Sequence, residues 1–124
     1  MEQDLQMTTR MTDDALILDL CGDVTKRAEQ TILGYRDWEQ GIDGGRSYLL
    51  INFSAVPYIN SAGIAVFIRL TRAGLKAGYT TFAYGLNLHF QKLFRMVGLT
   101  EYMMIYPDEH AVMQRIKELH ETGH

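Results

Sequence analysis

The stretch Ser47-Tyr48-Leu49-Leu50-Ile51-Asn52-Phe53 constrains this chain more than any other. Its residues are nearly all apolar or β-favouring, with no alternation to mark a wet face. A run of that kind suits a strand in the middle of a sheet, covered on both sides. What lies before and after it must supply neighbouring strands and the layers that cover them.

Ala15-Leu16-Ile17-Leu18-Asp19-Leu20-Cys21 sets leucines on one face and Ile17, Asp19 and Cys21 on the other. That alternation reads as a half-buried strand, stopped by Gly22-Asp23. The Thr-rich segment from Leu5 to Thr12 reads as an edge strand pairing back on it through a Thr-Asp-Asp turn. From Thr25 to Gly41 the period becomes helical, with Ala28, Ile32, Tyr35 and Ile42 in one stripe and Thr25 as N-cap. After Pro57 a second helix spans Ser61 to Ala77. Its expected buried stripe is Ile64, Phe67, Ile68, Thr71 and Leu75, its wet face carries Arg69, Arg72 and Lys76, and Gly78 stops it.

Tyr79 to Tyr84 is a further strand. Asn87 can cap a third helix that carries Leu88, Phe94 and Val97 inward and ends at Gly98. Tyr102 to Tyr106 is a short strand, and Asp108 caps a last helix striped by Val112, Ile116 and Leu119. Strand-helix alternation of this kind defines an α/β layer fold with parallel strands and right-handed crossovers. The length suits one domain over 1–124, with a core from about 5 to 119 and a frayed tail at 120–124.

Composition excludes several functions. Fifteen acidic against twelve basic residues give a net charge of -3, with no basic stretch of the kind nucleic-acid binding needs. Cys21 is the single cysteine, which excludes an internal disulfide and a multi-cysteine metal site. Met1-Glu2-Gln3-Asp4 lacks the form of a signal peptide, and no apolar run approaches the ~20 residues that cross a bilayer. A soluble protein in a reducing, cytoplasmic setting is expected. His120 and His124 have the spacing of a metal pair but stand in the tail, so no metal and no cofactor is expected. No Gly-Lys-Ser/Thr follows Gly41, Gly44 and Gly45, which removes the phosphate-loop reading.

The informative segment is Val56-Pro57-Tyr58-Ile59-Asn60-Ser61-Ala62-Gly63-Ile64. Locally it reads as an N-cap followed by small residues that let a helix start close to a sheet. The same geometry has a functional side. A serine at a helix N-terminus sits where free N–H groups and the helix dipole favour negative charge. A phosphate there would add roughly -1.5 to -2 charge and three acceptors, enough to repel a docked partner. A nucleophile elbow would also place a serine between strand and helix, but the glycine two residues before Ser61 is missing. None of His89, His110, His120 and His124 offers it an evident base.

Together with the ends Leu20-Cys21-Gly22-Asp23 and Ile51-Asn52-Phe53, and with Met96-Val97-Gly98-Leu99, this segment resembles the STAS domain family. The likeness is specifically to the bacterial anti-sigma factor antagonists, and it covers Leu5 to Leu119. It implies a single α/β domain with a central mixed sheet and helices packed mainly on one face. It also implies a protein that is not an enzyme. Unphosphorylated, such a protein binds an anti-sigma factor that is also an ATP-dependent serine kinase, and so frees a sigma factor. Phosphorylation ends the interaction and a PP2C-type phosphatase restores it.

The family's motif is Asp-Ser-Ser/Thr-Gly with its first serine phosphorylated, and Ser61 falls at that position. Gly22, Asp23, Ile59, Asn60, Ser61, Ala62, Gly63 and Ile64 are then the expected partner-binding residues, with no nucleic acid and no membrane involved. Two positions depart from the motif. Asn60 replaces the aspartate, which keeps the cap but removes a carboxylate beside the serine, and Ala62 removes a hydroxyl. The resemblance also admits a STAS module that acts as a scaffold or ligand sensor by docking alone.

Overall fold

The computed structural model describes residues 3–122. Five strands form one sheet in the order β1-β2-β3-β4-β5. β1 (Gln6–Met11) runs antiparallel to β2 (Ala15–Cys21), as the short Thr-Asp-Asp turn requires. β2, β3 (Tyr48–Ala55), β4 (Thr80–Tyr84) and β5 (Met103–Tyr106) are all parallel, with Leu18 beside Ile51, Ile51 beside Ala83 and Ala83 beside Ile105. The sheet is therefore mixed, with β3 at its centre.

Each parallel step needs a crossover. These are α1 (Ala28–Ile32), α2 (Ser61–Ala77) and α3 (Leu88–Met96). Crossovers that step the same way along a sheet and share the usual handedness fall on one face. All three contribute to a single core with Leu16, Leu18, Leu20, Leu49, Ile51 and Phe53. Phe53, Phe67 and Phe94 meet edge to face or tilted at its middle, with ring centroids 5.0 to 6.2 Å apart. α4 (Glu109–Thr122) joins no further strand and is free to fold under the sheet. There Val112 and Ile116 pack on Ala15, Ile17, Leu50 and Phe82. This explains the missing alternation in β3: Leu49 and Ile51 face one layer and Leu50 the other.

The start of α4 is fixed by an ion network. Arg10 donates from Nε to Asp19 Oδ2 at 2.6 Å and from Nη2 to Glu109 Oε1 at 2.6 Å. Tyr84 donates its hydroxyl to the same Glu109 oxygen at 2.7 Å, and Asn52 Nδ2 donates to Asp19 Oδ1 at 2.8 Å. The Arg10 guanidinium holds both carboxyls below their ordinary values, and burial pushes the Tyr84 phenol up. Asp19 is a structural residue.

Several expectations are corrected. The helix from Thr25 to Gly41 is broken: α1 has one turn and a half, begins after Arg27 without a side-chain cap, and gives way to tight turns at 33–35 and 38–40. Trp38 fixes the break by donating its indole N–H to the Ile32 carbonyl at 2.8 Å, and Tyr35 is exposed while Trp38 is buried. In α2 the buried stripe runs through Ile64, Phe67, Leu70, Thr71 and Gly74, and Leu75 lies outside it at 64% exposed. In α3, Phe90 and Phe94 point inward, while Leu88 and Val97 are on the surface. Ile17 is buried, so β2 is covered on both faces. α4 continues to Thr122, which makes His120 and Glu121 helical rather than frayed. His124, and with it the paired-histidine reading, lies outside the described residues. Gly78 ends α2 in the left-handed region (φ 89°) as read from the sequence, and Asn87 and Asp108 cap as expected.

Candidate functional site

β3 ends at Ala55, and Val56 to Asn60 carry the chain over to the start of α2. Asn60 is the N-cap, its Oδ1 accepting from the Gly63 N–H at 2.9 Å. Of the four N–H groups that a helix start leaves open, a second is also satisfied: Asn60 N–H donates to the Val24 carbonyl at 3.1 Å. Ser61 and Ala62 supply the other two, Ser61 being exposed and Ala62 half-buried. Partial positive charge is concentrated at this point.

The loop after β2 is stitched to this helix start. Val24 N–H donates to the Tyr58 carbonyl at 2.9 Å, Val24 pairs with Ile59 as a parallel bridge, and Gly22 N–H donates to the Ala55 carbonyl at 3.0 Å. Gly63 makes that contact possible. A Cβ there would run into the Val24 carbonyl oxygen and lie 2.9 Å from its carbon. The glycine of the Asn60-Ser61-Ala62-Gly63 segment is thus required by the close approach of loop and helix.

All eight expected site residues therefore gather at one end of the sheet, but they do not all face outward. Ser61 is exposed, and Asn60 and Ala62 are half-buried. Gly22, Gly63, Ile59 and Ile64 are buried, the last two as members of the main core. Asp23 is 9% exposed, and its carboxylate accepts from the Gln3 N–H at 2.9 Å. Asp23 thus binds the N-terminal segment back onto the loop. Buried as they are, Ile59 and Ile64 line the groove beside Ser61, and Asp23 lines the one on the other side of Asn60.

Further apolar surface beside Ser61 comes from Tyr58 and from residues of α2 and α3. A groove of about 430 Å³ runs from Ser61 between α2 and α3, walled by Tyr58, Ile59, Ile64, Ile68, Leu93 and Val97. Tyr58 is 50% exposed and Val97 45%. On the other side of Asn60 a wider groove of about 1220 Å³ opens between the loop and α1, with Lys26, Arg27 and Glu29 on its walls. Tyr58 and Asn60 line both grooves, and Ser61 stands on the apolar one. Neither groove has a histidine on its walls. Among the described residues, no group of three or more His, Cys, Asp or Glu side chains could hold a metal ion, and no helix is long and apolar enough to cross a membrane.

The sequence matches the STAS domain family over residues 6–112, and the chain belongs to that family. Among solved structures, it is similar to the anti-sigma factor antagonist SpoIIAA in its unphosphorylated form (TM-score 0.69, 21% identity, covering 91% of this chain and 97% of that one). The Bacillus cell fate determinant SpoIIAA in the phosphorylated form gives a TM-score of 0.65 at 21% identity, covering 90% and 99%. A serine-to-glutamate variant of RsbS from Moorella thermoacetica gives 0.78 at 15% identity, covering 94% and 99%. A sulfate transporter family protein from Wolinella succinogenes gives 0.75 at 16%, covering 87% and 88%. These likenesses establish a shared fold. Among curated proteins, none matches the sequence.

Proposed function

We propose that this STAS protein is an anti-sigma factor antagonist that works by docking and not by catalysis. Its unphosphorylated form binds a cytoplasmic anti-sigma factor that is also an ATP-dependent serine kinase, and a sigma factor is released. Phosphorylation of Ser61 ends the interaction, and a PP2C-type phosphatase reverses it. The observation that carries this reading is the position of Ser61: exposed, first in α2, and beside a groove walled by Tyr58, Leu93 and Val97.

The physical logic is a charge placed at the rim of an apolar contact. A phosphoserine at a helix start is favoured by the open N–H groups and the dipole, so the fold keeps it. A partner covering the groove with apolar side chains would have to desolvate that charge, which is strongly unfavourable. The switch therefore acts on binding and not on folding. SpoIIAA, which shares the fold, is described in both phosphorylated and unphosphorylated forms, and this supports the reading.

The test is to measure binding of the cognate anti-sigma kinase to the wild type, Ser61→Ala and Ser61→Asp, alongside their thermal stability. Ser61→Asp should lose at least tenfold in affinity with its melting temperature unchanged or slightly raised. Ser61→Ala should bind like the wild type and resist phosphorylation by ATP. Equal affinity of all three would remove the switch. A second reading, docking without phosphorylation, is favoured by Asn60, which leaves the serine without the neighbouring carboxylate of the family motif. Tight binding together with no phosphate transfer to the wild type would select it.

A further inference from the structure

Residues 44–100, which hold β3, α2, β4 and α3, contain none of the fifteen Asp and Glu residues of the chain. Six of its twelve Lys and Arg residues fall there: Arg46, Arg69, Arg72, Lys76, Lys92 and Arg95. On α2, two of these cations are met by acids from the α1 side of the molecule, Arg69 by Glu29 at 2.8 Å and Lys76 by Glu39 at 3.5 Å. The cations of α3 are not met. Lys92 and Arg95 are exposed, and neither side chain makes an ion pair or a hydrogen bond among the described residues. The nearest carboxylate in sequence is Glu101, six residues beyond Arg95, and it pairs with neither.

The same helix leaves apolar side chains in water. Leu88 is 78% exposed and Met96 82%. At about 3.6 residues per turn, His89, Lys92 and Met96 share a stripe, and it adjoins the stripe that carries Leu93 and Val97 into the groove beside Ser61. Arg95 lies one turn on from Lys92. The groove, Met96 and the two cations therefore adjoin, apolar between the helices and positive along the α3 rim.

We propose that this surface takes an acidic amphipathic segment of the partner protein, its apolar side chains seated between α2 and α3 and on Met96, its carboxylates meeting Lys92 and Arg95. The proposal rests on the reading that the groove beside Ser61 is the partner's contact, and adds the chemistry of what fills it. Two unpaired cations beside an apolar groove, with no acid on either helix, complement a segment that is both acidic and apolar. A second copy docked two-fold by the same face would set Lys92 and Arg95 against their own equivalents, like charge on like. A lipid-binding cluster needs roughly four to eight cations, more than this rim offers. Ser61 lines the same groove, so a phosphate on it would face the partner's carboxylates and add repulsion to the cost of desolvation.

The test titrates the full chain into a fluorescein-labelled helical peptide, with leucines three and four residues apart and glutamates between them, followed by anisotropy. Binding should be saturable and should weaken roughly tenfold or more in Lys92→Glu/Arg95→Glu. Met96→Ala, which leaves the charges alone, should weaken it about threefold. Arg115→Glu/Lys117→Glu on α4 makes the same change in net charge at the other face and should bind like the wild type. Circular dichroism should show all three variants folded, since the α3 side chains are exposed. Equal weakening by the two double variants would reduce the effect to net charge and overturn the proposal. Equally tight binding of a peptide with lysines for glutamates would overturn it as well. So would binding of phosphatidylserine vesicles without binding of the peptide, or self-association that Lys92→Glu/Arg95→Glu abolishes. Weakening by Ser61→Asp but not by Lys92→Glu/Arg95→Glu would overturn this proposal and keep the Ser61 switch. The reverse would keep the surface and remove the switch.

Discussion

Substituting Gly63 by alanine tests the joint between the loop after β2 and the start of α2. In an isolated helix the change would gain up to about 1 kcal/mol in propensity. Here the added Cβ runs into the Val24 carbonyl and lies 3.0 Å from Val24 Cγ1. The obstruction is backbone, so either the helix start or the loop has to move. Moving the loop loses two hydrogen bonds, Val24 N–H to Tyr58 and Asn60 N–H to Val24, at about 1 kcal/mol each. Overpacking adds roughly 1 to 3 kcal/mol. Set against the propensity gain, Gly63→Ala should destabilise by about 2 to 4 kcal/mol, or roughly 6 to 15 °C in Tm for a domain of this size. Urea unfolding followed by circular dichroism gives the number directly. Gly34→Ala is the control, because a Cβ there meets nothing within 4 Å, and it should be neutral or up to about 1 kcal/mol stabilising. If Gly63→Ala proves as stable as Gly34→Ala, loop and helix start are not held together as described, and the support of the site has been misread.

Other outcomes follow from the same structure. Asn60→Ala should cost about 1 kcal/mol by removing the acceptor of the Gly63 N–H, while Asn60→Asp should retain that stability; urea midpoints decide it. Phe94→Ala should cost roughly 3 to 5 kcal/mol, because it empties the centre of the Phe53, Phe67 and Phe94 cluster, and calorimetry will show it. The Arg10 network gives an acid dependence of known sign. Asp19 and Glu109 have folded-state values held below their ordinary 3.8 and 4.5, so their contribution is present above that range and is lost as pH falls through the lowered values. Arg10→Gln should therefore lower stability at pH 7 and flatten the decline between neutral pH and about pH 3, both read from urea midpoints across pH.

Long apolar runs and polar caps made much of this structure readable in advance. β2 and α2 lie where the sequence places them, because a β-favouring run with its Gly22-Asp23 stop marks the one, and an Asn cap and a Gly stop mark the other. Asn87 and Asp108 are equally legible, since a side-chain acceptor at a helix start is a local event. The facing of α3 was not. Five apolar side chains in nine residues, Leu88, Phe90, Leu93, Phe94 and Met96, admit more than one inward stripe, and the positions of Phe53 and Phe67 select Phe90 and Phe94. The break after α1 was hidden for a related reason: Trp38 satisfies Ile32 across six residues, a bond that no helical period announces. The same division holds at the site. Ser61, its cap and the nearby loop can be read from one segment and one glycine-aspartate stop. The apolar wall of its groove can be read only in part: Ile59 and Ile64 come from that segment, but Leu93 and Val97 arrive from more than thirty residues downstream.

The most direct test of the Ser61 switch is peptide mass spectrometry on the protein isolated from its native cells, read at the peptide containing Ser61, across growth and stress conditions. The switch requires one phosphate on Ser61 whose occupancy changes with condition. A Ser61 that stays unmodified in every condition, or a phosphate that falls only on another residue, would contradict it.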